Sequence, residues 1–428
     1  MKSKLRKGVP ILQKNQLNVI ELFAGVGGFR LGLEQANKDL FKTVWANQWE
    51  PSRKEQHAFN CYKSRFQEGV ASNEDITTVT NETFIDLEPD LLVGGFPCQD
   101  YSVARSLSGE AGLQGKKGVL FWEIARILDQ TQPKYVLLEN VDRLLKSPSK
   151  QRGRDFAVML ATFRDLDYSV EWRVINAADY GFAQRRRRVF IFAYKNGIAF
   201  DDNQRQFSQQ ELIYNEGYFA KTFPVLDTPY KERVSSTTLP DDIVEISDLF
   251  SYNFQTAGVM QNGELTTIHT QPVEKRPTTL GEILQDEETV PEDFYLTETQ
   301  AEKFAYLRGP KKIERTSADG HSYVFSEGGM SPTDDLDKPG RTMLTSEGTT
   351  NRSTHIVEVN GRKRFLTPLE CERLNGFDDY WTEGMPNRMR YFCMGNALVV
   401  GLIKKMGERI EEIEKTTAKK EVQLNLTI

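Results

Sequence analysis

The sequence predicts an α/β fold: a doubly wound, mostly parallel sheet covered by helices, joined to a smaller and irregular second domain. Two observations predict this architecture. In the first 200 residues, short apolar runs of strand length alternate with stretches whose apolar residues recur at helical spacing. From residue 201 to 364, polar residues and turn signals replace that pattern, and no period is clear. Alternating strands and helices are typical of parallel sheets, because parallel strands need a crossover connection that is usually helical.

The predicted strands are short apolar runs bounded by polar or turn residues. They lie at 18–22, 43–46, 91–93, 135–138, 170–175 and 189–194. A helix is expected at 120–128, where apolar residues recur on one face.

Helical signals return near the end of the chain. Thr367 and Glu370 have the spacing of a capping box, Pro368 occupies the first helical position, and Gly376 is a plausible stop. A final helix is expected after Asn396. We therefore expect residues 365–428 to complete the domain formed by residues 1–200, with residues 201–364 inserted between them.

Composition limits the class of protein. The chain has 428 residues, of which 39% are hydrophobic, so it is long enough for two domains with a sizeable core. No run of 18 apolar residues is present, and the basic start lacks a signal-peptide core, so a cytoplasmic protein is expected. The four cysteines and four histidines are scattered, with no CxxC pair, so neither a disulfide framework nor a metal site is expected.

Charge alone leaves nucleic-acid binding open. The net charge is −6, but two basic clusters stand out against it. One is the run 185–188 (RRRR), and the other comprises Lys303, Arg308, Lys311, Lys312 and Arg315. Such clusters are often solvated surface.

A glycine-rich turn at 23–28 (FAGVGG) follows the first predicted strand and leads into a helix. Backbone without side chains lets a nucleotide-like ligand approach a helix N-terminus there. Near the end of the second strand, Gln48 and Glu50 are placed to bind ribose hydroxyls and Trp49 to stack on adenine. Asp75 could accept from an adenine amino group. Purely structural roles are the alternatives: a tight turn at 23–28, a core position for Trp49 and a helix cap for Asp75. Among cofactors that contain adenosine, NAD, FAD and S-adenosylmethionine all remain open.

Cys98 follows Pro97 in the segment 94–99 (GGFPCQ), beyond the end of a buried strand, where doubly wound sheets have their active sites. An accessible thiol on a stiff turn suits a nucleophile, although most cysteines are not catalytic. The glycine- and serine-rich stretch 100–118 suits a lid. Glu139 ends the next strand, so its carboxyl is expected on the same rim as a proton donor.

Five motifs in order give a specific resemblance. The segments FAGVGG at 23–28, GFPCQ at 95–99, ENV at 139–141, QRRRR at 184–188 and GNA at 395–397 resemble the DNA (cytosine-5) methyltransferase family of bacterial restriction–modification systems. The resemblance is good at both ends of the chain and poor in the middle. It implies a Rossmann-like, S-adenosylmethionine-dependent catalytic domain and, at 201–364, a target-recognition domain.

The resemblance also implies roles for single residues. Cys98 would add to C6 of a flipped-out cytosine, Glu139 would act at N3, Arg188 would hold O2, and Arg186 would steady the active-site loop. S-adenosylmethionine would be converted to S-adenosylhomocysteine in a pocket formed by Phe23, Gly25, Gly27, Gln48, Trp49, Glu50, Asp75, Ile76, Pro97, Asn396 and Ala397. The family usually has glutamate at the position of Gln48, so either Gln48 or Glu50 could bind the ribose.

Duplex DNA is the implied partner, with a cognate endonuclease as a possible genetic partner and a monomer as the expected state. The implied DNA contacts are Gln99, Ser102 and Lys117 in the loop and Arg308, Lys311, Lys312, Arg315, Arg341 and Arg352 in the middle region, with Tyr306 and Thr345 beside them. A transfer-RNA cytosine methyltransferase of the same fold is the alternative, against which the long middle region argues. A non-catalytic DNA-binding protein and an NAD-dependent oxidoreductase explain the paired Cys98 and Glu139 segments less well.

Overall fold

The computed structural model describes residues 16–96, 119–227, 234–317 and 319–427. Its strands are β1 Leu17–Leu22, β2 Phe41–Asn47, β3 Val70–Ser72, β4 Leu91–Gly95, β5 Tyr135–Val141, β6 Tyr168–Asn176, β7 Arg187–Lys195, β8 Val234–Thr238, β9 Ala257–Gln261, β10 Glu264–Ile268, β11 Lys311–Thr316, β12 Ser322–Glu327, β13 Ile356–Val359 and β14 Arg362–Phe365.

The helices alternate with these strands in the first half of the chain and are shorter in the middle. They are α1 Gly28–Asn37, α2 His57–Arg65, α3 Asn81–Ile85, α4 Val119–Thr131, α5 Arg154–Asp165, α6 Ala199–Gln204, α7 Gln209–Glu211, α8 Tyr218–Thr222, α9 Ile243–Leu249, α10 Leu280–Ile283, α11 Glu298–Arg308, α12 Pro368–Asn375, α13 Asn387–Asn396 and α14 Val400–Thr427. All six predicted strands and the predicted helix at 120–128 are confirmed, each between one and four residues longer than its apolar run.

One ten-stranded sheet organises the fold, in the order β3-β2-β1-β4-β5-β7-β6-β9-β10-β8. The first five strands in that order are parallel. The strand β7 then runs antiparallel between β5 and β6, and every later pair is antiparallel as well. The doubly wound α/β fold is confirmed, but the sheet is mixed, because the expected parallel pairing holds for one half only.

The sheet also crosses the expected domain boundary. Residues 234–268 lie within the segment 201–364, yet they form β8, β9 and β10 and extend the main sheet by pairing β9 with β6. Sequence periodicity could not show this, because strands of five residues carry little pattern. The proposed limit at residue 200 therefore does not coincide with an edge of the sheet, and the two-domain division stays a prediction.

Helices cover both faces of the sheet. On one face, α1 and α14 pack together, and they come so close that a Cβ added at Gly32 would lie 2.6 Å from Cβ of Ile403. On the other face, α4 and α5 bury Ile124, Ile127 and Phe156 against β1, β4 and β5. The final helix begins at Val400 and thus packs against the first half of the chain.

A third apolar cluster joins α12 and α13 to the glycine turn. The predicted capping box of α12 is present, with the Thr367 hydroxyl accepting from the Glu370 amide, and Gly376 ends the helix in a left-handed conformation with φ 76°. Trp381 packs in this cluster and donates its indole N–H to the carbonyl oxygen of Val26 at 2.9 Å. The C-terminal region therefore supports the turn that follows β1.

Hairpins stand apart from the main sheet in the middle of the chain. The strands β11 and β12 form one, and β13 and β14 form another. Both faces of the β11–β12 hairpin are largely exposed, with Tyr323 and Val324 at 44% and 59% exposure. No helix among the described residues is long and apolar enough to cross a membrane.

Candidate active site

The glycine turn lies at the carboxyl edge of the parallel strands. Phe23, Gly25 and Gly27 have positive φ angles of 55°, 57° and 90°, and the Ala24 amide donates to the carbonyl oxygen of Asn47 at 2.9 Å. A Cβ at Gly27 would lie 2.3 Å from the Phe66 ring, whereas one at Gly25 would meet no atom of the described residues within 4 Å. Gly27 is thus required by packing, and Gly25 borders open space.

Gln48 is bonded directly to this turn. Its Oε1 accepts from the Gly25 amide at 2.7 Å, and its own carbonyl oxygen accepts from the Asn73 side chain at 2.6 Å. Glu50 is engaged elsewhere, with its backbone amide bonded to Gln56 and its carboxylate 3.6 Å from Arg53. Of the two candidates for the ribose, Gln48 is therefore the one in contact with the glycine turn, and its side-chain amide N–H groups can donate to a hydroxyl.

Trp49 and Asp75 lie beyond the ends of β2 and β3. Trp49 is 37% exposed, so the alternative that it is a core residue is wrong. Asp75 is the helix cap that the alternative interpretation described, because its Oδ1 accepts from the amide and hydroxyl of Thr77 at 3.0 and 2.9 Å. Its cap role fixes the carboxyl beside Ile76, which is buried.

The strand β4 ends next to Glu139 of β5. Gly95 and Glu139 are register partners across β4 and β5, and a Cβ at Gly95 would lie 3.3 Å from Glu139 Oε2. The buried Asn140 side chain donates to the carbonyl oxygen of Phe96 at 2.9 Å. The strand β4 therefore ends beside Glu139, three residues before Cys98 in the sequence. Pro97, Cys98, Gln99, Ser102, Lys117 and the expected lid 100–118 lie outside the described residues.

Glu139 is paired with Arg188. The Arg188 Nε lies 2.7 Å from Glu139 Oε1, and the side chains are only 17% and 14% exposed. The pairing exists because β7 runs antiparallel to β5 with Arg188 opposite Val141. Arg188 also donates from Nη1 to the carbonyl oxygen of Arg187 at 2.7 Å, which orients the guanidinium. A carboxyl and a guanidinium are thus held side by side on a largely buried rim, and the roles expected of them at N3 and O2 stay predictions.

Arg186 is buried, and it joins β7 to the end of α13. Its Nη2 donates to the carbonyl oxygens of Gly395 and Asn396 at 3.0 and 3.4 Å, and its Nη1 donates to that of Met343 at 3.3 Å. Burial, aided by the charge of Arg188, lowers the pKa of Arg186 to about 9, against the opposing effect of Glu139. The expected role for Arg186 was to steady the active-site loop; its side chain bonds Met343 and the segment that precedes Ala397.

Asn396 and Ala397 end α13 close to the glycine turn. Asn396 is exposed, and Leu398, two residues further on, lies 3.1 Å from a Cβ position at Gly28. The first motif, at 23–28, is therefore bonded to Gln48 beyond β2 and lies beside Leu398, which follows the last motif.

Two predicted DNA contacts are corrected by their burial and bonding. The Arg308 side chain is 2% exposed and donates to Asp334 and to the carbonyl oxygens of Ser331, Pro332 and Thr354. Arg341 bonds the same carboxylate through Nε and Nη2. Burial would raise the pKa of Asp334, but its bonds to Arg341 and Arg308 and the nearby His355 outweigh this and lower it. Both arginines hold the middle region together, and neither is presented to solvent as a free cation.

The remaining basic candidates divide into engaged and exposed residues. Lys311 and Arg352 both pair with Glu327, at 3.2 and 2.7 Å. Lys312 and Arg315 are exposed on β11, and the Arg315 guanidinium lies 4.1 Å from the centre of the Phe325 ring. These two residues remain proposed DNA contacts.

A buried carboxyl beneath the glycine turn escaped the sequence analysis. Glu21 is fully buried in β1, where its Oε2 accepts from the Tyr62 hydroxyl at 2.8 Å and its Oε1 from the Arg30 amide at 3.4 Å. Tyr62 packs against Phe66, the ring that contacts Gly27. An acidic residue inside the apolar run of β1 was the signal that could have revealed it.

Comparison with known proteins identifies the family. The model of the C-5 cytosine-specific DNA methylase family matches residues 17–412, so the chain belongs to that family. It is 60% identical to the Type II methyltransferase M.Sau3AI of Staphylococcus aureus over 96% of this chain and 100% of that protein. It is 29% identical to the Type II methyltransferase M.HhaI of Haemophilus parahaemolyticus, over 92% and 93% of the two chains. The resemblance drawn from the five motifs is confirmed.

Solved structures agree on the fold. The Dnmt2 methyltransferase of S. pombe matches 93% of this chain and 99% of its own with a TM-score of 0.58 and 15% identity. A Spodoptera frugiperda DNMT2 variant matches 92% and 100% with a TM-score of 0.59 and 14% identity. The Rossmann-like methyltransferase fold is thereby confirmed.

Glu21 gives a pH-dependent prediction. Burial, opposed by the bonds from Tyr62 and Arg30, raises its pKa from 4.5 to about 7. The folded chain then binds this proton more tightly than the unfolded chain, so the free energy of unfolding falls as pH rises from 4.5 to about 7 and is level above. The variant Glu21→Gln has no carboxyl to titrate at this position. Its free energy of unfolding minus that of wild type should therefore rise by on the order of 3 kcal/mol between pH 4.5 and about 7.

Urea unfolding at several pH values measures the difference between the variant and wild type. Glu68→Gln, which removes an exposed carboxyl, is the control and should give a difference that does not change with pH. A Glu21→Gln difference that is equally flat would contradict the raised pKa.

Proposed function

We propose that this chain transfers a methyl group from S-adenosylmethionine to C5 of a flipped-out cytosine in a specific duplex DNA sequence, through a covalent bond between Cys98 and C6. The observation that carries the proposal is the Glu139–Arg188 pair at 2.7 Å, in register with Gly95, three residues before Cys98. Membership in the C-5 cytosine-specific DNA methylase family supports it.

The chemistry requires a nucleophile at C6, because C5 of cytosine is too electron-poor to attack a methyl sulfonium. Addition of the Cys98 thiolate forms the S–C6 bond and moves the ring electrons toward C5 and N3. Glu139 hydrogen-bonds or protonates N3, and Arg188 hydrogen-bonds O2, so the charge that builds on the ring is stabilised. Once C5 has been methylated, loss of the C5 proton and departure of the Cys98 sulfur restore the aromatic ring.

The other cysteines support the choice of Cys98. Cys61, Cys371 and Cys393 are buried, and burial raises the pKa of Cys61 to about 11 and those of the other two as well. A buried, protonated thiol is a poor nucleophile. Among the residues that the structure describes, no group of three His, Cys, Asp or Glu side chains is arranged to hold a metal ion.

S-adenosylmethionine supplies the electrophilic methyl group when bound and becomes S-adenosylhomocysteine. The open space at Gly25, the exposed Trp49 ring and the amide of Gln48 fit an adenosine moiety. The residues proposed to hold the cofactor are Phe23, Gly25, Gly27, Gln48, Trp49, Asp75, Ile76, Pro97, Asn396 and Ala397. Gln48 takes the ribose in preference to Glu50, because Glu50 is turned toward Arg53.

Duplex DNA is the proposed substrate, with residues 201–364 contributing recognition through Lys312 and Arg315. The relatives M.Sau3AI and M.HhaI are Type II methyltransferases, which supports a restriction–modification setting with a cognate endonuclease as genetic partner. A monomer is proposed as the active state. Transfer RNA is the alternative substrate, because a fold alone does not define the substrate of an enzyme.

Methyl incorporation into duplex DNA and into transfer RNA distinguishes the two substrates. We expect the purified protein to label duplex DNA from radioactive S-adenosylmethionine, and bisulfite sequencing of that DNA to locate one cytosine in one recurring sequence. Labelling of transfer RNA with none in DNA would contradict the proposed substrate.

Duplex DNA that carries 5-fluorocytosine at the target position tests the covalent step. We expect wild type to form an adduct that survives denaturation, because fluorine at C5 does not leave as a proton does. Cys98→Ser should form none and should lose methyl transfer by at least about three orders of magnitude, while DNA and cofactor still bind. Cys61→Ala is the matched control and should form the adduct. An adduct in Cys98→Ser, or none in active wild type, would refute the nucleophile assignment.

A further inference from the structure

A basic segment follows Glu139 on the same rim of the sheet. Residues 142–154 (DRLLKSPSKQRGR) contain five cationic residues and one acidic residue, a net charge of +4 in a chain whose total is −6. The first five of these residues form a 3₁₀ helix that continues directly from β5. The positive charge is therefore concentrated next to the candidate active site, against the overall negative charge of the chain.

The basic segment is held against the rest of the protein by buried side chains and hydrogen bonds. Leu144 and Leu145 are buried in the main core, and the Gln151 side chain donates to the carbonyl oxygens of Ser247 and Phe250, both at 3.0 Å. Ser147 donates to the Asp155 carboxylate at 2.6 Å. These contacts fix the backbone, so the cations that project from it are held on a defined surface.

Four of its cations face solvent, of which Arg152 donates from Nε to the Asn253 side chain at 2.9 Å. Arg143, Lys146 and Lys150 are exposed, and no ion pair involves them among the residues described here. Arg154, by contrast, is paired with Asp155 at 2.8 Å. Unpaired cations on an anchored surface keep their charge available for an anionic partner.

The neighbouring strand extends this surface toward the active site. Arg187 of β7 lies 3.2 Å from Asp142, so the start of the basic segment is beside the start of β7. Arg185, which is exposed, comes just before that strand. Arg143 is four positions after Glu139 in the sequence. Their Cα atoms therefore lie within about 14 Å of each other, which is the rise of about four base pairs.

We propose that Arg143, Lys146 and Lys150, with Arg185, bind the phosphodiester backbone of the duplex beside the target cytosine. The inference rests on the proposed function and adds a contact surface outside the loop and the middle region. A duplex whose cytosine reaches Glu139 and Arg188 must pass over this rim, and phosphates are the groups on it that complement exposed cations. Because phosphates carry no sequence information, the surface contributes affinity equally to specific and random duplexes.

The salt dependence of binding tests the proposal. The test plots the logarithm of the association constant for duplex DNA against the logarithm of the salt concentration. Each lost phosphate contact should make the slope of this plot less negative by about 0.9. For the triple variant Arg143→Gln, Lys146→Gln, Lys150→Gln, the slope should therefore change by about 2.7. Between about 200 and about 50 mM salt, wild type should gain about 40-fold more affinity than the triple variant. The probe is a fluorescent random-sequence duplex, and circular dichroism verifies that the variant is folded.

A control removes three lysines at the opposite, amino-terminal edge of the sheet, of which Lys42 and Lys134 are paired with Glu68 and Glu414. Lys38 precedes β2, Lys42 lies near its start, and Lys134 precedes β5. The variant Lys38→Gln, Lys42→Gln, Lys134→Gln should keep the wild-type slope.

The outcomes separate this surface from the proposed function. If wild type does not bind duplex DNA, the proposed substrate fails. If wild type binds duplex DNA and the triple variant has the same slope, the phosphate-binding surface is refuted. This is the result expected if the exposed cations bind an acidic protein and not DNA. An equal change of slope in the control would also refute it, because the effect would then come from net charge.

Discussion

The ion pair between Glu139 and Arg188 depends on the direction in which one strand runs. Parallel strands all end at the carboxyl edge of the sheet, and Glu139 lies near that end of β5. The strand β7 is antiparallel to β5, so it begins at the edge where β5 ends, and its first residues meet Glu139 there. A parallel β7 would put Arg188 at the far edge. The antiparallel half of the sheet therefore places a guanidinium next to the Glu139 carboxyl, beside the end of β4.

The same edge connects the parts of the site that are distant in sequence. Arg186 precedes β7 by one residue and bonds the end of α13, so the strand that positions Arg188 also positions Asn396. The helices α12 and α13 in turn support the glycine turn through Trp381. The proposed cofactor pocket and the Glu139–Arg188 pair thus share one framework. A change in one is expected to alter the other, as in sites where residues act as a unit.

Much of the fold and site could be predicted from the sequence, because strand ends and glycine turns have local signals. The strands of the first half and the positions of Glu139 and the glycine turn followed from them. The bonding of charged residues could not be predicted in this way. Arg308 and Lys312 look alike in sequence, yet Arg308 is buried against Asp334, 26 residues away, while Lys312 is exposed. The partner of a charge is set by tertiary contacts, and the same holds for the addition of β9 to β6.

A double-mutant cycle on Glu139 and Arg188 tests the central claim most directly. The single-turnover rate of methyl transfer is measured for Glu139→Gln, Arg188→Gln and the double variant, with duplex DNA and S-adenosylmethionine saturating. If the two side chains stabilise the same charged ring, each single substitution removes most of the rate enhancement that the pair provides. The double variant is then less than about tenfold slower than the slower of the two single variants. Losses in activation free energy that simply add in the double variant would contradict a joint role for this pair.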